Sequence, residues 1–376
     1  MWVHSLSLTD FRSHGQVDLE FSPGVTTFIG LNGQGKTNLI EAIGYVSSLS
    51  SHRVASDAPL VRLGAQIAFV RCGITADDRE ITVDLAITPG RANKARINRS
   101  PVPRTRDVLG LLRTVLFAPE DLSLVKGDPS ERRRFLDDLL IQRSPRLAGT
   151  RSDYERVLKQ RNALLKSASV ARRRAEAEML RTLEVWDDQL ATIGGQLIQE
   201  RICLTQDLLP LTVDEYGLIA GTHGSPLGLR YVSSITDLAE LPGDKDSWRV
   251  RILEELLRRR SDELNRGLTL VGPHRDDLLL SLADTPAKGY ASHGEAWSIA
   301  LALRLGSYAL LRADGVEPVL MLDDVFAELD ATRRERLAER VRTAQQVLVT
   351  AAVEADVPTA LQGATIRVSR EGVSPA

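Results

Sequence analysis

The chain has 376 residues, of which 43% are hydrophobic and 26% charged, a globular composition that excludes a disordered or collagen-like protein and fits two to three structural units. Its formal net charge of −2 neither requires nor forbids a polyanionic partner. The most apolar candidate span, Ile299 to Leu311, is broken by Arg304 and is shorter than the roughly 20 apolar residues a membrane helix needs.

The start, Met1-Trp2-Val3-His4-Ser5, has neither a basic lead nor an apolar core, so no secretory signal is read there. Cys72 and Cys203 lie far apart without zinc or CxxC spacing, and a cytoplasmic protein with reduced thiols is expected. Ser5 to Leu8 alternates, and Val25 to Ile29 is a short β-branched run ending at Gly30. After the glycine-rich stretch that follows, Asn38 to Ile43 has helical periodicity. Ile67 to Ile74 and Glu80 to Ile87 predict two antiparallel strands joined by the polar turn Thr75 to Asp78.

The middle is predicted to be helical. Tyr154, Val157, Leu158, Leu164, Leu165 and Ala168 repeat at helical spacing, as do Leu183, Trp186, Leu190, Ile193 and Leu197, and the pattern resumes from Trp248 to Leu268. Tyr216 to Leu229 and Leu241 to Ser247 have the composition of connections. Lys126 to Arg181 holds 15 Lys/Arg against 8 Asp/Glu, a basic segment that suits either a polyanion-binding face or a solvated helical surface. Beyond it, Leu268 to Val271, Leu278 to Leu282, Val319 to Leu322 and Gln346 to Thr350 are expected strands. Glu295 to Leu311 and Thr332 to Thr343 are expected helices.

Gly30-Leu31-Asn32-Gly33-Gln34-Gly35-Lys36-Thr37 is a complete GxxxxGK[ST] between a predicted strand and a predicted helix. Its glycines let successive backbone N–H groups face phosphates, and the following helix N-terminus adds its positive dipole end. Lys36 then reaches the β- and γ-phosphates of ATP, and the Thr37 hydroxyl ligates Mg²⁺. Such a loop needs a carboxylate at the end of a neighbouring strand. Val319 to Leu322 followed by Asp323-Asp324 supplies one: Asp323 for Mg²⁺ and Asp324 as general base for the attacking water. These motifs are far apart in sequence, so the two ends of the chain must build one nucleotide-binding head, with the helical middle as an insertion. Ser292-His293-Gly294-Glu295 opens a helix and is either an ordinary N-cap or a second anion-binding device.

The order of P-loop, Ser-x-Gly-Glu loop, strand with Asp323-Asp324 and then Glu328-Leu329-Asp330 resembles the ABC-type ATPase heads, the SMC-like branch most closely. Phe11-Arg12, the run from Gly30 to Ile43, Ser51-His52-Arg53, Phe117 to Leu122, Arg132 to Asp137 and Gly272-Pro273-His274-Arg275-Asp276-Asp277 together resemble the RecF family of bacterial recombination mediators over essentially the whole chain. The resemblance implies an α/β ABC-type P-loop ATPase head of mixed sheets carrying an inserted helical arm. The implied boundaries are 1–115 for the first part of the head, 116–267 for the arm and 268–376 for the rest of the head. It further implies an ATP-dependent homodimer that binds gapped DNA and works with RecR and RecO to help load RecA.

In that frame Ser292, Gly294 and Glu295 meet the γ-phosphate bound to the other subunit, Asp330 crosses the same interface, and Arg12 approaches the nucleotide. Departures from ABC transporters are plain: Phe117-Ala118-Pro119-Glu120 contains no Gln, and Ala351-Ala352 stands where a switch histidine is found. Slow, DNA-stimulated hydrolysis suited to a switch is therefore expected. The DNA-contact candidates are Arg132, Arg133, Arg134, Arg143, Arg146, Arg151, Arg172, Arg173 and Arg174, with Arg133 and Arg134 open also to pairing within the head–arm junction and Arg172 to Arg174 expected to be the better exposed. Two other readings remain open at this point, a transporter's nucleotide-binding subunit and a nuclease-associated defence ATPase.

Overall fold

The computed structural model describes residues 1–170, 176–221, 224–235 and 243–375. The chain opens with β1 (Trp2–Phe11) and β2 (His14–Glu20), followed by β3 (Gly24–Ile29), which leads through the glycine-rich loop into α1 (Lys36–Ser48). Next come β4 (Ala68–Ala76), β5 (Arg79–Ile87), β6 (Lys94–Ile97), β7 (Ser100–Pro101) and β8 (Thr114–Phe117). The helices α2 (Leu122–Lys126), α3 (Pro129–Arg143), α4 (Leu147–Val170) and α5 (Glu176–Ala220) follow. Then β9 (Leu227–Val232), α6 (Lys245–Arg258), α7 (Arg260–Arg266), β10 (Asp277–Leu282) and β11 (Thr285–Pro286) lead to α8 (His293–Ala313). The chain closes with β12 (Val319–Asp323), α9 (Ala331–Val341), β13 (Gln346–Ala351), β14 (Ala364–Val368) and β15 (Val373–Pro375).

These elements form two compact units, one of 1–125, 211–226 and 291–376 and the other of 126–210 and 227–290. The first unit has two sheets. One is antiparallel, in the order β2-β1-β4-β5-β6-β7; the other has the order β15-β14-β3-β13-β12-β8 and is parallel except at β15. All residues of β12 and β13 are buried, as expected for parallel strands covered on both faces. Leu39, Ile40, Ile43 and Val46 of α1 join Phe28, Met321 and Leu348 in one apolar core, so the helix after the phosphate loop is anchored by what it buries. In the strand order β3-β13-β12, Thr350 is paired with Phe28 on one side and Asp323 on the other. The carboxyl ends of three adjacent strands therefore converge, the usual ligand-binding edge of a parallel sheet.

In the second unit β10 pairs antiparallel with β9 and β11, and α3 packs on β10 while α4 packs on α7. Several sequence expectations need correction. Residues 268–290, expected within the nucleotide-binding head, belong with the helical unit because β10 pairs with β9. Residues 211–226, expected within the arm, belong to the first unit: Arg340 forms an ion pair with Glu215, and Arg336 donates to Ile219 O at 2.8 Å. Leu268 to Val271 is not a strand. Its backbone is satisfied by side chains instead, with Thr269 N donating to Asn162 Oδ1 and Leu270 N to Glu263 Oε1, both at 2.7 Å. The continuous helix expected over Trp248 to Leu268 is broken at Arg259. The connection expected from Tyr216 begins later, since α5 runs through Pro210 to Ala220.

Candidate nucleotide site

Glycine is required at the end of the phosphate loop. Gly35 has φ 102°, and a Cβ there would lie 2.7 Å from both His14 Nε2 and Ser13 Oγ. The loop therefore closes against the β1–β2 hairpin, whose two connecting residues are Arg12, with φ 55°, and Ser13. Asn38 Nδ2 donates to Ser13 Oγ at 2.8 Å, and His14 Nε2 lies 3.1 Å from Gly35 O. Burial lowers the His14 pKa, the direction that favours the neutral ring.

Lys36 is buried and folds back over the loop. Its Nζ donates to Gly30 O at 2.7 Å and to Leu31 O at 3.4 Å, and lies 3.5 Å from Asn32 Oδ1. Gly33 has φ 80°, and Leu31 is exposed. Gln34 Oε1 is buried with no hydrogen-bond partner. A cleft of about 740 Å³ borders the loop, lined among others by Gly30, Gln34, Glu354 and Arg367.

Thr37 and the strand-end carboxylate meet directly: Thr37 Oγ1 donates to Asp323 Oδ1 at 2.9 Å. Thr350 Oγ1 donates to the same oxygen at 2.7 Å and accepts from Asp324 N at 2.8 Å. Asp323 Oδ1 is thus held by two hydroxyls, while Oδ2 faces His52 Nε2 at 3.8 Å. Asp324 follows in the left-handed region at φ 49°. Burial, then the charge of Asp323, raises its carboxyl above the usual range, the direction that suits a proton acceptor working near neutrality. The oxygen-rich pair Thr37 and Asp323 has the hard donor chemistry that Mg²⁺ prefers.

Arg12 is fixed from behind. Its Nε donates to Glu41 Oε2 at 2.7 Å and its Nη2 to Glu41 Oε1 at 2.5 Å, while Nη1 donates to Pro59 O at 3.1 Å. Glu41, on α1, is almost fully buried and also accepts from Ser51 Oγ. Arg53 lies 3.6 Å from it.

Ser292 is the N-cap of α8. Its Oγ accepts from Glu295 N at 3.3 Å, and Ser292 N donates to Glu295 Oε2 at 2.8 Å, a capping box. These hydrogen bonds lower the Glu295 pKa. A Cβ on Gly294 would lie 2.8 Å from an Arg333 Nη. Arg333 in turn donates to Ser298 Oγ at 2.9 Å and pairs with Asp330, the N-cap of α9. Ser292, Gly294, Glu295 and Asp330 therefore gather around α8, α9 and Arg333. Lys36, Thr37, Asp323 and Asp324 gather at the carboxyl ends of β3, β13 and β12.

Among the arginines proposed to meet DNA, Arg172, Arg173 and Arg174 lie outside the described residues. Arg151 is engaged with Asp137, Asp138 and Glu155, so its charge is balanced within the helical unit. Arg146 is exposed and, with Lys245, lines a cleft of about 520 Å³. Three contributors to the nucleotide site were not assigned roles from the sequence: Glu41, Thr350 and His52. Glu41 and His52 lie inside family-like segments, but their roles depend on contacts with Arg12 and Asp323. Thr350 carries no sequence signal of its own.

A P-loop at a parallel sheet edge, answered by a hydroxyl-bonded aspartate on the next strand but one, defines the class of P-loop ATPase heads. The profile described as RecF/RecN/SMC N terminal domain matches residues 2–374. The DNA replication and repair protein RecF of Frankia alni is 59% identical over 365 residues, 96% of each chain, and that of Streptomyces avermitilis 58% identical over 370 residues, 98% of each chain. The chain belongs to the RecF family of DNA replication and repair proteins. A solved structure of the recombination mediator RecF with ATP, from the RecFOR pathway, superposes with a TM-score of 0.90 at 27% identity, covering 100% of this chain and 97% of that one. The Smc head of Pyrococcus furiosus shares the fold, with a TM-score of 0.54 at 16% identity over 100% of this chain and 96% of that one.

Proposed function

We propose that this protein is an ATP-switched, DNA-binding recombination mediator, which binds gapped DNA and acts with RecO and RecR to help load RecA. The observation that carries the nucleotide part is the chain of hydrogen bonds from Thr37 through Asp323 to Thr350 and Asp324 N. It brings together, at the mouth of the loop, the hydroxyl and the carboxylate that this reading needs. Thr37 and Asp323 are the residues to hold Mg²⁺. When bound, the ion would supply charge neutralisation to the phosphates. Lys36 exchanges its carbonyl partners for phosphate oxygens, and Asp324 accepts the proton of the attacking water. Asp324 is one methylene shorter than a glutamate, and position 352 is alanine; both favour slow turnover.

Ser292 supports the dimer part of the reading. Its oxygen caps α8, yet a hydroxyl keeps a donor hydrogen for another acceptor, and the α8 N-terminus favours an anion. We assign the Ser292-Gly294-Glu295 loop and Asp330 to the nucleotide of a second copy. The test is sedimentation with and without ATP, in the presence of gapped duplex. The wild type should dimerise on ATP, Lys36→Met should remain monomeric, and Asp324→Asn should accumulate as the ATP-bound dimer with hydrolysis reduced by two orders of magnitude or so. A dimer indifferent to nucleotide refutes the switch.

A further inference from the structure

His52 is not explained by packing alone. Its ring belongs to the loop after α1, and Nε2 is buried without a hydrogen-bond partner. A buried imidazole nitrogen left unsatisfied loses hydration that nothing replaces. Asp323 Oδ2 lies 3.8 Å from Nε2, too far for a direct hydrogen bond and within the span of one bridging water. The other oxygen of the same carboxylate is already held by Thr37 and Thr350. Oδ2 and Nε2 are thus the two acceptor-capable atoms left facing each other at this corner of the site. No glutamine follows β8, where Ala118-Pro119-Glu120 stands, and no imidazole follows β13; the histidine at this corner arrives from a different element.

We infer that His52 is a positioning residue of the Mg²⁺–nucleotide site, its Nε2 and Asp323 Oδ2 together orienting one water on the metal side of the phosphates. The inference rests on the nucleotide-site reading above. Its consequence is selective: His52 supports binding of the nucleotide with its metal and contributes nothing to binding of the bare nucleotide. Calorimetric titration of the full chain with ATP, in Mg²⁺ and separately in EDTA, tests this with wild type, His52→Ala, His52→Phe, His52→Gln and Lys36→Met.

One hydrogen bond corresponds to about a fivefold change in affinity. His52→Ala and His52→Phe should each weaken binding about fivefold in Mg²⁺ and leave the EDTA value unchanged, while His52→Gln, whose amide can also hold a water, should recover most of the loss. Phe keeps the ring volume, so a fold defect confined to the alanine variant does not obscure the result. Unchanged affinity in Mg²⁺, an equal loss in both media, or no recovery with Gln would overturn the assignment. If Lys36→Met binds ATP as tightly as wild type in both media, the nucleotide-site reading itself fails. If Lys36→Met weakens binding and the His52 variants do not, only the role of His52 falls.

Discussion

His274 lies within the segment from Gly272 to Asp277, and its two nitrogens are both used: Tyr154 Oη is 2.7 Å from Nδ1, and Thr269 O is 3.2 Å from Nε2. The carbonyl can only accept, so Nε2 carries the proton and Nδ1 accepts from the tyrosine. Burial lowers the His274 pKa to about 4. The unfolded chain, near 6.5, then binds the proton more readily than the folded one, so stability is full above that value and is lost as pH falls from 6.5 toward 4. Partial exposure limits the effect to about 2–3 kcal/mol. The urea midpoint of wild type should fall between pH 7.5 and 4.5, and His274→Gln should show a smaller drop; equal drops would exclude this histidine as the source. The neighbours have comparable duties. Gly272 has φ 127°, and a Cβ there would meet Tyr154 Oη at 2.5 Å. Asp276 accepts from Tyr231 Oη, Ser234 N and Ser234 Oγ, and Asp277 takes Arg132 in a two-pronged pair. The segment therefore organises the helical unit.

At the scale of elements, α1 does more than present Lys36 and Thr37. Glu41, one turn further along, ties the β1–β2 hairpin through Arg12 and the following loop through Ser51 and Arg53. Removing one partner from a buried pair leaves the other's charge uncompensated, which costs about 3–5 kcal/mol in a fully buried setting; Arg12 is 13% exposed on its side chain, placing the cost nearer the lower end. Glu41→Gln should lower the thermal midpoint and, by freeing Arg12, weaken ATP binding more than it weakens folding of the helical unit. Calorimetry and scanning fluorimetry on the same preparation would check this, and an unchanged midpoint would show the pair to be dispensable. The left-handed Asp324 is a second local cost at this edge, held in place by its backbone bond to Thr350.

At the scale of the molecule, the described cations of the helical unit include two kinds. Arg132 and Arg161 are buried and paired: Arg161 is fully enclosed and bonds Asp187, Glu263 and Thr269, with Arg201 similarly held by Asp137 and Pro273 O. Such charges cannot release counterions from DNA. Arg146 and Lys245, beside their cleft, are exposed enough to do so. If about six phosphates are neutralised by the ATP-bound dimer, the logarithm of DNA affinity should fall against the logarithm of salt with a slope near −5. Arg146→Ala, which removes one contact from each copy, should make that slope shallower by about 2. A slope near zero, measured by anisotropy on gapped duplex, would remove the electrostatic reading of DNA contact.

The nucleotide edge was legible in the residues because its chemistry is local: a glycine loop between a β-branched strand and a helix, and a hydrophobic strand ending in two aspartates, each announce their geometry within a dozen positions or so. The two motifs together also demanded one nucleotide-binding head built from both ends of the chain, while the fold class came with the family resemblance. Contacts between separate elements carry no such periodic mark. That Thr350 would share Asp323 Oδ1 with Thr37, that Arg12 would be gripped by Glu41, that Asp277 to Leu282 would pair with β9, and that Arg151 would meet Asp137 and Asp138 of the preceding helix all depended on strand pairing and packing. Side-chain partners are chosen by distance in three dimensions, and only the folded chain sets those distances.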